Sequence, residues 1–92
     1  MKRGFHPRAF LLLKRNVRLG LSARTRILQV LENQEVNIKS IAGSSELNYG
    51  VVAHHLRLLE AERVVVRKGD KKPFVWVLTG AGQQRLVNSK ER

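Results

Sequence analysis

Two adjacent histidines, His54 and His55, and four closely spaced cations, Arg67, Lys68, Lys71 and Lys72, are the residues whose types and spacing invite a chemical reading. Neighbours on a helix point about 100° apart, so the histidines cannot converge on one ion as an i, i+4 pair can, and no metal is expected there. His55 borders an apolar stripe and is expected to pack, while His6 has no evident partner in the sequence. The seven carboxylates are scattered, no Ser, His and acid set stands out, and Gly43, Gly80 and Gly82 do not make a loop that could cradle a phosphate. With no cysteine there is no disulfide, thiol catalysis or thiolate metal site. The reading is therefore not an enzyme, with no cofactor and no small-molecule ligand evident. What remains is charge.

Eighteen Lys and Arg against seven Asp and Glu give the 92 residues a formal charge of +11. Residues 1–26 hold eight basic and no acidic side chains, 27–62 two basic and five acidic, and 63–92 eight basic and two acidic. Positive charge at both ends favours a polyanion, because each cation that neutralises a phosphate releases counterions. Hydrophobic residues make up 42% of the chain, too many for a disordered cationic tail, so a single packed domain over 1–92 is expected. The longest apolar run, 9–13, falls far short of the roughly 18 residues of a membrane span and does not make a signal peptide. The expectation is a cytoplasmic, nucleoid-associated protein with no membrane partner.

The elements that must position these cations can be read from period and capping. Pro7 suits a first helical turn, and Phe10, Leu13 and Val17 follow at helical spacing, which predicts a helix over 7–18. Its apolar surface is wide, since Leu11 and Leu12 lie off the Phe10 stripe, and a partner chain is one way to cover it. Gly20 reads as a break and Ser22 as the cap of a helix that ends near residue 33. Asn37 caps a short helix closed by Gly43, Ser44 and Ser45, and Asn48 caps a helix over 49–60 with Val52, Leu56 and Leu59 inward. Then the period changes. Residues 63–68 and 74–78 are strand-like, and Gly69, Asp70, Lys71, Lys72 and Pro73 supply a turn, giving a hairpin with a charged tip. Thr79 is read as the cap of a last helix over 80–88.

Three helices followed by a basic two-stranded ribbon is the order of a winged helix-turn-helix. The run Val52, Ala53, His54, His55, Leu56, through Leu59 and Ala61 to Val64, resembles the recognition-helix signature of ArsR-like winged-helix transcriptional regulators. Leu78, Thr79, Gly80, Ala81 and Gly82 are similar to the segment with which many such domains leave the wing. The resemblance covers about 22–86. It implies an α+β, mostly α fold: a winged helix-turn-helix with an extra N-terminal helix, a two-stranded β wing and a short C-terminal helix. The segments would be a basic arm and dimerisation helix over 1–21, a helical core over 22–62, the wing over 63–78 and the last helix over 79–92. Two departures stand out. Many metal-sensing relatives carry a Cys pair in the helix before the recognition helix, and the stretch 38–42 has none, which excludes a thiolate sensor. Glu62 stands where the family often has Gly, so it must take an unusual backbone conformation or shift the end of the helix.

Helical geometry reaches a similar place without the resemblance. If Val52, Leu56 and Leu59 face the core, then Gly50, His54 and Arg57 lie opposite with Ala53 beside them, and Asn48 and Tyr49 stand at the helix N-terminus. These six are the candidate major-groove readers; the alternative is an ordinary solvated face. Arg67, Lys68, Lys71 and Lys72 are candidate backbone or minor-groove contacts, although charged hairpin tips also discourage edge pairing. Lys39 and Ser40 could hold a phosphate at a helix N-terminus. The resemblance further suggests a homodimer, with Phe10, Leu11, Leu12 and Leu86 as its candidate residues. The function expected is a dimeric regulator of double-stranded DNA, with repression by promoter occlusion as the simplest mechanism. The alternatives are a sequence-neutral architectural nucleic-acid-binding protein and a winged-helix protein-interaction module.

Overall fold

A computed structural model describes residues 4–80. The first long helix, α1, spans Arg18–Asn33 and presents Leu21, Ile27, Leu28 and Leu31 to the core. It is followed by a two-residue strand β1 (Val36–Asn37), helix α2 (Ile38–Ser45), helix α3 (Tyr49–Ala61) and the strands β2 (Val65–Lys68) and β3 (Val75–Leu78). Burial of Ile27, Leu28, Ile41, Val52, Leu56, Leu59, Val64 and Val65, all almost inaccessible, joins the three helices and the base of the hairpin. Each such side chain contributes about 1.5 to 3 kcal/mol, so this cluster decides the fold.

Local signals set the ends of α2 and α3. The Asn37 side chain accepts from the Ser40 amide at 2.9 Å, and that of Asn48 accepts from the Gly50 amide at 2.7 Å, so both helices start where an Asx cap was expected. Helix α2 ends on Glu46, which has φ +62, and a three-residue turn leads to α3. At the far end of α3 the Val64 amide donates to the Leu59 carbonyl at 2.9 Å and the Arg63 amide to that of Glu60 at 2.9 Å. The left-handed residue of this cap is Arg63, at φ +63, while Glu62 stays at φ −99. The unusual backbone expected at Glu62 therefore falls one residue later.

The sheet has three antiparallel strands in the order β1-β3-β2, rather than the two expected. Val36 pairs with Trp76 and Asn37 with Val75, so the connection between α1 and α2 adds a short strand that its sequence does not announce. In the hairpin Val65 pairs with Leu78 and Arg67 with Trp76, and directly paired residues share a face. One face therefore carries Val65 and Leu78 near the core and Arg67, Trp76 and, two residues back, Phe74 near the tip. The three helices and three-stranded sheet make a winged helix.

The helix expected over 7–18 is absent. Pro7–Ala9 forms one 3-10 turn, residues 10–17 run without regular structure, and α1 begins at Arg18. Gly20 and Ser22, read as break and cap, lie inside α1. The cause is Arg24. Its buried guanidinium donates from Nε to the Ala9 carbonyl at 2.6 Å and from Nη2 to Asn16 Oδ1 at 3.1 Å, and its Nη1 lies 3.3 Å from His55 Nδ1. A Cβ at position 20 would meet Arg24 Nη1 at 2.7 Å, so the glycine makes room for the guanidinium instead of breaking the helix. Asn16 bonds both backbone groups of Leu11, and the Glu62 carboxylate accepts from the Leu12 and Leu13 amides at 2.7 and 2.8 Å. The arm is thus strapped down by polar side chains, with Ala9 and Leu11 in the core. His6 does have a partner: its Nε2 lies 2.5 Å from Glu32 Oε2.

Thr79 donates its hydroxyl to the Arg63 carbonyl, and its amide donates to that of Val64 at 3.0 Å, which joins the exit of β3 to the end of α3. The helix expected over 80–88 lies outside the described residues beyond Gly80.

Candidate nucleic-acid interface

Helix α3 divides along its length as its spacing requires. Val52, Leu56 and Leu59 are fully buried, whereas Tyr49, Gly50, His54 and Arg57 are exposed and Ala53 is half-buried. Asn48 is exposed too, but its Oδ1 holds the cap, so its side-chain amide NH2 is what it can offer a ligand. Gly50 is close under that cap, where a Cβ would lie 3.2 Å from Asn48 Oδ1. A small residue here lets a partner approach the start of the helix.

The two histidines separate. His54 projects to solvent; His55 is buried against Arg24, with the two rings edge to face at 4.9 Å. Burial, followed by the nearby Arg24 and His54 charges, pushes the His55 imidazole down to about 4, so it is neutral at physiological pH. His55 supports α3 from beneath, and His54 is the one a ligand can reach. Burial likewise lowers Arg24 from its usual value, opposed by the Glu62 carboxylate.

The hairpin cations also fall into two sets. Arg67 donates from Nε to Glu60 Oε2 at 2.9 Å, and Lys68 Nζ lies 3.4 Å from Glu35 Oε1. Lys71 and Lys72, at the exposed turn, have no ion-pair partner among the described residues. A phosphate therefore meets undivided charge at Lys71 and Lys72, and half-spent charge at Arg67 and Lys68. Lys39 and Ser40 are exposed in the first turn of α2, where the Ser40 amide is occupied by the Asn37 cap.

The geometry joins α3 to the hairpin through one groove of about 660 Å³. Tyr49, Ala53, Arg57 and Glu60 line it from α3, Ile38 from α2, and Arg67, Lys72, Pro73, Phe74 and Trp76 from the hairpin. Five of the sequence-selected residues, Tyr49, Ala53, Arg57, Arg67 and Lys72, meet there, while Gly50 and His54 stand on α3 outside it. Sequence reasoning missed Phe74, Trp76 and Glu60. The period-2 spacing of Phe74 and Trp76 opposite Arg67 is the signal that could have grouped them.

Among the dimerisation candidates, Leu11 is packed in the core of its own chain and Leu86 lies outside the described residues. Phe10 and Leu12 are exposed, as are Leu13, Val17 and Leu19 nearby in sequence, with Leu19 at 83% exposure. No helix among the described residues is long and apolar enough to cross a membrane.

No protein-family model matches the chain, and no curated protein matches it in sequence. Among solved structures it is similar to the crystal structure of a possible transcriptional regulator for arsenical resistance, at 22% identity and a TM-score of 0.65, over 75% of this chain and 72% of that one. What the two share is the winged-helix fold.

Proposed function

We propose that the protein is a dimeric regulator that binds double-stranded DNA, placing α3 in the major groove and the hairpin against the flanking backbone or minor groove. One observation carries the reading: Tyr49 and Arg57 on the exposed side of α3 and the uncompensated Lys72 of the hairpin tip line one groove in a chain of charge +11. Its winged-helix fold, shared with a possible transcriptional regulator, supports it. Asn48, Tyr49, Gly50, Ala53, His54 and Arg57 read bases; Lys71 and Lys72, with Lys68, Lys39 and Ser40, hold phosphates, while Arg67 is engaged by Glu60. The exposed apolar surface of Phe10, Leu12, Leu13, Val17 and Leu19 is where a second copy packs, which sets two half-sites about one helical turn apart. Occlusion of a promoter by such a dimer represses without a further domain.

The test is selection from random duplex DNA followed by titration of variants at two salt concentrations. An inverted repeat is expected to emerge. Arg57→Ala lowers discrimination by about 1 to 3 kcal/mol at its base pair, whereas Lys71→Ala with Lys72→Ala weakens all duplexes alike and flattens the salt dependence. Tight, salt-sensitive binding with no motif would replace this reading with the sequence-neutral architectural one. Absence of salt-sensitive binding would replace it with a protein-interaction module.

A further inference from the structure

The groove between α3 and the hairpin has a composition that a duplex backbone does not explain. The chain contains five aromatic side chains of the Phe, Trp and Tyr type, and three of them, Tyr49, Phe74 and Trp76, line this one groove. Phosphates need donors and charge; they gain nothing from aromatic rings. Bases do, because every base has a face that stacks on an aromatic ring or on a flat guanidinium.

Arg67 completes such a surface. Its guanidinium carbon lies 5.3 Å from the Phe74 ring centroid and 5.6 Å from that of Trp76, and Glu60 holds its Nε at 2.9 Å. With its charge offset and its orientation fixed from two sides, Arg67 is a flat wall rather than a phosphate clamp. Arg57 and Lys72, on the same groove, have no ion-pair partner among the described residues and supply the charge that Arg67 does not. The volume of this open groove, about 660 Å³, is within the range of roughly 300 to 1,000 Å³ of clefts that take a small-molecule ligand.

We infer that this groove takes one unpaired nucleotide of a nucleic acid, its base against Tyr49, Phe74 and Arg67 and its phosphate at Lys72. The inference rests on the DNA-binding reading and adds a preference to it: duplexes carrying an extruded or bulged nucleotide bind more tightly than perfect ones. It gives the protein a way to mark distorted DNA beside whatever sequence α3 reads.

Trp76 is the single tryptophan, and it lines the groove from the edge of the core, so its fluorescence reports on this one place in the fold. The full chain is titrated with a perfect duplex, the same duplex with one bulged adenosine, the same with an abasic bulge, and adenosine monophosphate by itself. The bulged adenosine is expected to bind about tenfold more tightly than the perfect duplex and to quench Trp76. The abasic bulge, equally bendable but without a base, should behave as the perfect duplex does. Phe74→Leu keeps apolar bulk and should remove the tenfold gain while leaving perfect-duplex affinity unchanged. Should that variant fail to fold, the abasic comparison on the unaltered protein decides.

Equal affinity for all three duplexes with a silent Trp76 overturns the inference and leaves the duplex reading standing. Binding of none of them removes the duplex reading and this inference with it. Saturation by adenosine monophosphate as tight as by the bulged duplex also overturns it, since the groove is then a site for a free nucleotide.

Discussion

The arm of residues 4–17 and the hairpin of β2 and β3 are built from similar material, short apolar runs studded with cations, yet different physics holds each of them to the core. The hairpin is held by a ladder in which many equivalent backbone bonds share the load across three strands. The arm has no ladder. Arg24 and Glu62 reach from elsewhere to its backbone, Asn16 ties Leu11 from within it, and Thr25 accepts from the His6 amide at 2.9 Å. A structure spread over equal bonds tolerates the loss of any one side chain; a structure hung on a few polar side chains does not.

Arg24→Ala is the strongest way to break the comparison. It removes the bonds to Ala9, Asn16 and His55 at once and should cost about 3 kcal/mol in urea unfolding. Hydrogen exchange should then quicken at the amides of Leu11, Leu12 and Leu13 while those of β2 and β3 stay protected; equal loss in both regions would mean that they are not independently held.

Next in size is the acid response of His55, which lies beneath that clamp. Its folded value near 4 is below the ordinary 6.5, so above pH 6.5 the ring is neutral in both states and costs nothing. As the pH falls from 6.5 toward 4 the unfolded chain takes up the proton first and stability declines, with solvent screening of the ring holding the loss to on the order of 2 kcal/mol. Unfolding measured across that window should show a shallower slope for His55→Gln than for the unaltered chain.

Glu62→Gln sharpens the contrast further. It leaves one acceptor where the Leu12 and Leu13 amides found two, and a loss of about 1 kcal/mol is expected with the hairpin untouched. Lys71→Ala with Lys72→Ala, at the exposed tip, should change stability by less than about 0.5 kcal/mol. A larger loss would show that the tip carries structure as well as charge.

The same division explains what could be read from the chain. Val52, Leu56 and Leu59 recur at the spacing of one helix face, and Asn37 and Asn48 stand where caps belong, so α2, α3 and the hairpin were legible as local patterns. The arm was not, because the groups that hold it are up to 50 residues away: Glu62 to Leu12 is a contact that no window of sequence contains. Strand β1 escaped for the complementary reason, since two residues, Val36 and Asn37, give no period at all. At the site, the exposed residues of α3 and the lysines of the tip followed from helical geometry and turn chemistry. The spacing of Phe74 and Trp76 is a local signal that puts them on one strand face, but the pairing of Arg67 with Glu60 and the meeting of those rings with Tyr49 in one groove depend on how the sheet packs against α3.

Gly20 and Arg24 have a consequence for how such a chain can change over generations. A methyl group at position 20 must displace a guanidinium held by three hydrogen bonds, so it is disfavoured for as long as the arginine is in place. Once the arginine has gone, the glycine has no reason to persist inside a helix, where alanine is better by about 1 kcal/mol. Descent from this sequence thus ties the two positions together: alanine at position 20 becomes favourable once the arginine has gone, and a lineage that keeps the arginine is better served by the glycine.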